Sequence, residues 1–112
     1  MDTMNINGFF EEIQKIGYII EQHEDSSEIT LLFDRSEFCL NYPMYMIRNK
    51  IVYIISLFLQ EDKCLTRQFK TVNILDVNFS YEELLKDLTD LMAEYKQLQI
   101  KRRKNQLEAD FM

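Results

Sequence analysis

The sequence predicts an α+β protein with an N-terminal helix, an antiparallel meander of about five strands and a long C-terminal helix. Three observations support this fold class. Apolar residues recur at helical spacing over 5–16, alternate with a period of two over most of 18–75, and return to helical spacing over 80–108. Helices that precede and follow such a sheet pack onto it as a second layer. We therefore expect a single domain, 1–112, with one hydrophobic core.

The first predicted helix, over 5–16, carries signals at both ends. Asn5 or Asn7 can accept a hydrogen bond from a free backbone N–H of the first turn. Gly17 supplies the left-handed residue that commonly ends a helix. The predicted core-facing side consists of Phe9, Phe10, Ile13 and Ile16.

The first predicted hairpin joins strands at 18–22 and 28–33. Its connection, 23–27, is polar and contains His23, which we interpret as a solvated turn residue. One face of the second strand is apolar and consists of Ile29, Leu31 and Phe33. That alternation predicts a strand with one face on the core.

A third strand is predicted after a turn at 34–37. Its inward-facing residues, by the period of two, are Phe38, Leu40 and Tyr42. Pro43 cannot donate to a ladder, so it ends this strand or places it at an edge of the sheet.

The segment that follows leaves two alternatives open. Residues 44–47 either extend the sheet or form a short helical turn. Residues 51–59 are β-branched, aromatic and apolar on both faces, which is typical of a central strand. A helix over 44–60 is the main alternative.

The last predicted strand, 64–75, changes the phase of its apolar residues, which indicates a bulge near Lys70 or Thr71. If both helices cover one face of the sheet, the other face is left uncovered. The residues expected there are Val52, Ile54 and Phe58. An uncovered apolar patch of this kind is a candidate interface.

The long helix is predicted over 80–108, and Ser80 with Glu83 forms a capping box at its start. Its core-facing residues are Tyr81, Leu84, Leu85, Leu88, Leu91, Met92, Tyr95 and Leu98. A helix of this length spans roughly 43 Å, whereas a compact chain of this size is roughly 34 Å across. We therefore expect its end to project from the body or to meet a partner.

The net charge of −6 is unevenly distributed. Residues 1–95 carry −9 and residues 96–112 carry +3, so the body should approach basic surfaces and repel nucleic acid. Two acidic sets are candidate partner-binding sites: Glu21, Glu24, Asp25 and Glu28 around the first hairpin, and Glu83, Asp87, Asp90 and Glu94 along the long helix. The second set is expected opposite the apolar face, either as a solvated surface or as a mimic of DNA phosphates.

A basic set ends the long helix and consists of Lys101, Arg102, Arg103 and Lys104. These cations either lie in solvent opposite the negative end of the helix dipole or contact phosphate or an acidic partner. Four basic residues without interleaved aromatics are a weak nucleic-acid signal. Direct nucleic-acid binding is therefore not our expectation.

No pattern in the sequence points to catalysis, and we do not expect an enzyme, a cofactor or a metal site. There is no phosphate loop and no nucleophile elbow. Cys39 and Cys64 form no CxxC motif, so we expect reduced, partly buried thiols in a cytoplasmic protein. The longest apolar stretch, 51–59, is too short to span a membrane.

The opening of the chain resembles a known family. Met4-Asn5-Ile6-Asn7, a short helix and a hairpin over 18–33 around an acidic, Ser-rich loop are similar to the start of small acidic anti-CRISPR proteins from prophages of low-GC Gram-positive bacteria. The resemblance covers the first third of the chain. It implies an acidic surface that blocks the DNA-binding groove of a Cas9 nuclease.

We therefore expect a non-catalytic, phage-type inhibitor or modulator that binds a basic surface of a host protein. The alternative is a homodimeric structural, immunity or antitoxin-type protein, joined through the end of the long helix or through the face with Val52, Ile54 and Phe58. A third possibility is a nucleic-acid accessory protein that uses Lys101 to Lys104.

Overall fold

The computed structural model describes residues 4–22 and 28–110 and confirms the α+β fold class. In sequence order, one helix precedes and one helix follows five consecutive strands. The elements are α1 (Ile6–Ile16), β1 (Ile19–Gln22), β2 (Glu28–Leu32), β3 (Met44–Ile47), β4 (Lys50–Gln60), β5 (Lys63–Asn73) and α2 (Tyr81–Asp110). The strands form one antiparallel sheet in the order β1-β2-β3-β4-β5. Each strand therefore pairs with its neighbours in sequence, as expected of a meander.

The ends of α1 follow from its sequence. Asn5, rather than Asn7, is the N-cap, and its Oδ1 accepts a hydrogen bond of 2.8 Å from the Gly8 N–H. Gly17 ends the helix with a φ of 120°, a conformation that side-chain-bearing residues rarely adopt. Its N–H donates to carbonyl oxygens of the last turn. The start of α2 is capped likewise, since Ser80 Oγ accepts from the Glu83 N–H at 3.4 Å.

The open question over 44–60 is settled in favour of strands. Met44 pairs with Tyr53 and Ile47 with Lys50, so this segment is a hairpin rather than a helix. The hairpin of β4 and β5 has a two-residue turn, Glu61 and Asp62, with φ values of 50° and 65°. Two positive φ values are what a type I′ turn requires, and its twist matches that of the strands.

The prediction of a third strand, with Phe38, Leu40 and Tyr42 facing inward, is wrong. The chain over 38–43 is irregular, because no ladder holds it apart from an isolated bridge at Cys39. Phe38 is buried, as expected, but Leu40 and Tyr42 are exposed. A period of two has no structural meaning where the chain is not paired as a strand.

The irregularity in the β4–β5 ladder lies elsewhere than predicted. Lys70 and Thr71 pair regularly with Tyr53 and Val52. The register shifts instead between Ile54 and Leu57 of β4. At the first shift β4 contains one residue more than the paired stretch of β5, and at the second shift β5 contains one residue more than β4. The two shifts cancel, so the pairing has the same register on both sides of them.

The core lies between one face of the sheet and the two helices. α1 packs on α2 through the rings of Phe9 and Tyr81, whose centroids are 5.3 Å apart. Tyr18 is buried just after α1 and donates a 2.6 Å hydrogen bond to the Leu88 carbonyl of α2. Burial raises the pKa of this phenol, so it stays a hydrogen-bond donor.

The end of α2 extends beyond the core, as its length predicts. The chain measures 56 Å along its longest axis and 23 Å along its shortest. Over 81–107, Tyr95 is the last fully buried residue of α2, and 103–107 are all exposed. Ile100 and Leu107 are exposed large apolar residues on this part of the helix.

Candidate interaction surfaces

The acidic set of α2 is not where we expected it. Asp87 accepts a 2.9 Å hydrogen bond from the Tyr53 hydroxyl, and Glu94 accepts one of 3.2 Å from the Leu57 N–H. Both carboxylates therefore face β4, while Glu83 and Asp90 are exposed. The reason lies in the helical wheel: at 100° per residue, this set is centred about 110° from the apolar stripe. It flanks the buried face instead of opposing it.

These contacts give two of the acids a structural role. Burial raises the pKa of Tyr53, as do its hydrogen bond to Asp87 and the nearby charge of Glu83. The Tyr53 proton thus stays in place as a donor to the carboxylate. The acids of this set that remain accessible to a partner are Glu83 and Asp90.

The acidic set of the first hairpin is only partly described. Glu21 is exposed on β1, and Glu28 lies on β2 beside Tyr45. Partial burial and the hydrogen bond with Glu28 raise the pKa of the Tyr45 hydroxyl. Glu24, Asp25 and His23 lie outside the described residues.

The basic set at the end of α2 is divided in the same way. Arg102 turns back onto the body, with its guanidinium carbon 5.0 Å from the centroid of the Phe38 ring. This stacking is a cation–π contact, and it explains why Arg102 continues the phase of the apolar stripe. Lys101, Arg103 and Lys104 are exposed.

A polar network anchors the loop that follows β2 to α2. Asp34 Oδ2 accepts hydrogen bonds from the Tyr95 hydroxyl at 2.8 Å and from Gln99 Nε2 at 3.0 Å. Its Oδ1 accepts from the N–H and the hydroxyl of Ser36. Partial burial raises the pKa of Asp34, but these donors together outweigh it and hold that pKa below its ordinary value.

The face of the sheet that the helices leave uncovered carries exposed apolar side chains. It contains a shallow cavity of about 750 Å³, lined by Thr30, Tyr42, Tyr45, Val52, Ile54 and Phe69 among others. Phe69 is 67% exposed and Tyr42 is 53% exposed. Of the residues predicted for this face, Ile54 is buried beneath its neighbours and Phe58 lies under the Arg67 guanidinium. The exposed part of the patch therefore comes from two residues that the sequence analysis did not place there.

The wall of this cavity contains both charged and buried polar side chains. Charges of opposite sign line the cavity, since both Glu28 and Arg67 contribute to its wall. Thr30 is only 4% exposed, and its hydroxyl has no hydrogen-bond partner among the described residues.

The described part of the chain shows no further site of a recognisable kind. A groove of about 720 Å³ beside the start of α2 carries both carboxylates and lysines, and so favours neither an anion nor a cation. No group of three or more potential metal ligands occurs in residues 4–22 and 28–107. Within the described helices, none has an apolar stretch long enough to cross a membrane.

The cysteine pair is the feature that sequence reasoning missed. Cys39 and Cys64 are free thiols, and Cys39 is partly buried, as expected, whereas Cys64 is fully buried. An isolated parallel bridge places them side by side. They are far apart in sequence and share no motif, so only the path of the 38–43 segment brings them together.

Comparison with protein-family models, curated proteins and solved structures finds no match to the chain.

Proposed function

We propose that this protein is a non-catalytic inhibitor or modulator that binds a basic surface of a host protein, such as the nucleic-acid groove of a nuclease of the Cas9 kind. The observation that carries the proposal is the lack of internal charge neutralisation. Leaving Glu28 aside, the one ion pair among residues 4–22 and 28–107 joins Lys15 and Glu12 at 3.1 Å. The exposed carboxylates are those of Glu11, Glu21, Glu37, Glu61, Asp62, Asp76, Glu82, Glu83 and Asp90.

Uncompensated surface charge speeds association with a surface of opposite sign and determines which partners are excluded. The same charge repels nucleic acid, which disfavours a function based on Lys101, Arg103 and Lys104 alone. The resemblance of the first third of the chain to anti-CRISPR proteins supports a nuclease as the partner class. Glu21, Glu83 and Asp90 are the accessible members of the two acidic sets, so they are the residues to change.

Reversing the accessible charges should weaken binding to the partner. We expect Glu83→Lys/Asp90→Lys, or Glu21→Lys if the first hairpin is the contact, to reduce affinity for Cas9 on the order of tenfold and to relieve its inhibition. DNA cleavage and binding to the immobilised nuclease, each at low and high salt, measure this. Added salt should weaken the wild type more than the variant.

A matched control separates local contact from net charge. Glu11→Lys/Glu37→Lys changes the net charge as much as the α2 double variant and alters exposed residues outside both acidic sets. We expect it to keep most of the affinity. The proposal is wrong if the protein leaves Cas9 cleavage unchanged and retains no nucleic-acid enzyme from a bacterial lysate.

A second candidate function is a homodimer that uses the uncovered face of the sheet. Phe69 and Tyr42 present apolar surface there, and Glu28 and Arg67 lie in the same cavity wall. A two-fold axis through this face would bring the exposed apolar side chains of one copy onto the same patch of the other, and a symmetric interface uses the same patch on both copies.

Sedimentation at micromolar concentration tests the homodimer. We expect the wild type to dimerise and Phe69→Asp to shift the dissociation constant at least tenfold, on the order of the cost of losing a central aromatic contact. Leu75→Asp is the control, since Leu75 is equally exposed but lies beyond β5. A monomeric wild type, or equal effects of the two substitutions, excludes a dimer through this face.

A further inference from the structure

Cys39 and Cys64 occupy backbone positions that already suit a disulfide. The two residues form an isolated parallel bridge, and the Cys64 N–H donates a 3.0 Å hydrogen bond to the Phe38 carbonyl. Neighbouring strands lie about 4.8 Å apart. That spacing falls within the roughly 4.4–6.8 Å between Cα atoms that a disulfide spans. Little backbone movement is therefore needed to join the two sulfur atoms.

We propose that Cys39 and Cys64 form a redox-active pair that exchanges with low-molecular-weight disulfides, with Cys39 as the attacking thiol and Cys64 as the resolving thiol. Access supports this order. Cys39 is half-buried and lines a small surface cavity of about 150 Å³, whereas Cys64 is 0% exposed. A small disulfide can thus reach the first sulfur but not the second.

The electrostatic environment supports the same order. The Cys64 thiol donates a hydrogen bond to Cys39 Sγ, which lowers the pKa of Cys39 although partial burial and the charge of Asp34 oppose this. The same hydrogen bond raises the pKa of Cys64, and so do burial and the charges of Cys39 and Glu94. The attacking species is the thiolate, so Cys39 is the sulfur that reacts first.

The reaction proceeds in two exchange steps. The Cys39 thiolate attacks one sulfur of the small disulfide, whose S–S bond breaks and releases one thiolate, leaving a mixed disulfide on Cys39. Cys64 then gives up its proton to the released thiolate and attacks Cys39 Sγ. This step expels the second small thiolate, which takes a proton from water. The small disulfide gains two electrons, and the cysteine pair loses the same two.

The disulfide would fix the 38–43 segment to the start of β5. This segment carries Phe38, which supports Arg102 and Tyr95, and Tyr42, which lines the cavity on the uncovered sheet face. Oxidation therefore restrains one wall of that cavity. Closing a loop of about 25 residues should also raise the melting temperature, on the order of 10 °C.

Mass spectrometry of the folded protein treated with 2-hydroxyethyl disulfide tests the proposal. We expect the wild type to lose two hydrogens and to retain no adduct, and dithiothreitol to reverse this. Cys64→Ser should accumulate one adduct on Cys39, because its resolving thiol is missing. Cys39→Ser should react at least tenfold more slowly, on the order expected for a buried, protonated thiol.

The wild type decides the outcome even if a serine variant fails to fold. A wild type that stays a dithiol at high disulfide concentration overturns the proposal. So does a wild type that accumulates stable adducts or links two chains instead of closing the internal bond. Faster reaction at Cys64 than at Cys39 would overturn the assigned order of attack.

Discussion

Leu88→Ala should lower the free energy of unfolding by about 3 kcal/mol, because it leaves a cavity in the hydrophobic core. Leu88 is 0% exposed and lies on the face of α2 that packs against the sheet and α1. Its carbonyl also holds the Tyr18 hydroxyl, so a shift of the backbone there would strain a buried hydrogen bond. Urea unfolding measures the loss as a lower midpoint with an unchanged slope.

Leu107→Ala is the matched control for this substitution. It makes the same change in the same helix, but Leu107 is 59% exposed on the part that extends beyond the core. We expect a change within about 0.5 kcal/mol. Equal losses for the two variants would mean that the end of α2 is covered in solution, as in a dimer through that helix.

Tyr95→Ala should cost about 4 kcal/mol, near the upper range for removing a buried aromatic ring. The ring stacks on Phe33 with centroids 4.1 Å apart and contacts Phe38 at 5.6 Å. Its hydroxyl donates to Asp34. The substitution therefore removes packing and also releases the loop that follows β2.

Tyr95→Phe separates these two contributions. It keeps the stacked ring and deletes the hydroxyl, and Asp34 retains hydrogen bonds from Ser36 and Gln99. We expect a loss of about 1 kcal/mol, the usual net value of one hydrogen bond. Denaturant unfolding of both variants measures the difference. If Tyr95→Ala and Tyr95→Phe lower the free energy of unfolding equally, the stacked ring contributes nothing to stability beyond its hydroxyl, which contradicts the structure.

The elements of the fold were predictable because their signals are local. Asn5, Gly17 and Ser80 mark helix ends by their own side chains or backbone, whatever the rest of the chain does. The segment 44–60 stayed ambiguous because an apolar run fits a buried strand as well as a buried helix. Its pairing with β5 decides the matter, and that information is not local.

The candidate sites were less predictable for the same reason. A helical wheel gives the angle of Asp87 and Glu94 but not how far the sheet extends around α2. No sequence pattern identifies Phe38 as the partner of Arg102, so the sequence places Arg102 with the other cations at the end of the long helix. The proximity of Cys39 and Cys64 likewise depends on the path of an irregular segment that no periodicity describes.

The outer strand of the sheet has a consequence for how copies of this protein can meet. β5 is 11 residues long, and within residues 4–22 and 28–110 it pairs with β4 along one side, while its other side is bridged at Cys64 alone. The rest of that side can recruit another chain by edge-to-edge pairing. Lys63, Arg67 and Lys70 are spread along it and exposed. Two such edges brought together would repel each other and leave these cations poorly hydrated. The strand is thus guarded against fibril-like growth by edge-to-edge pairing.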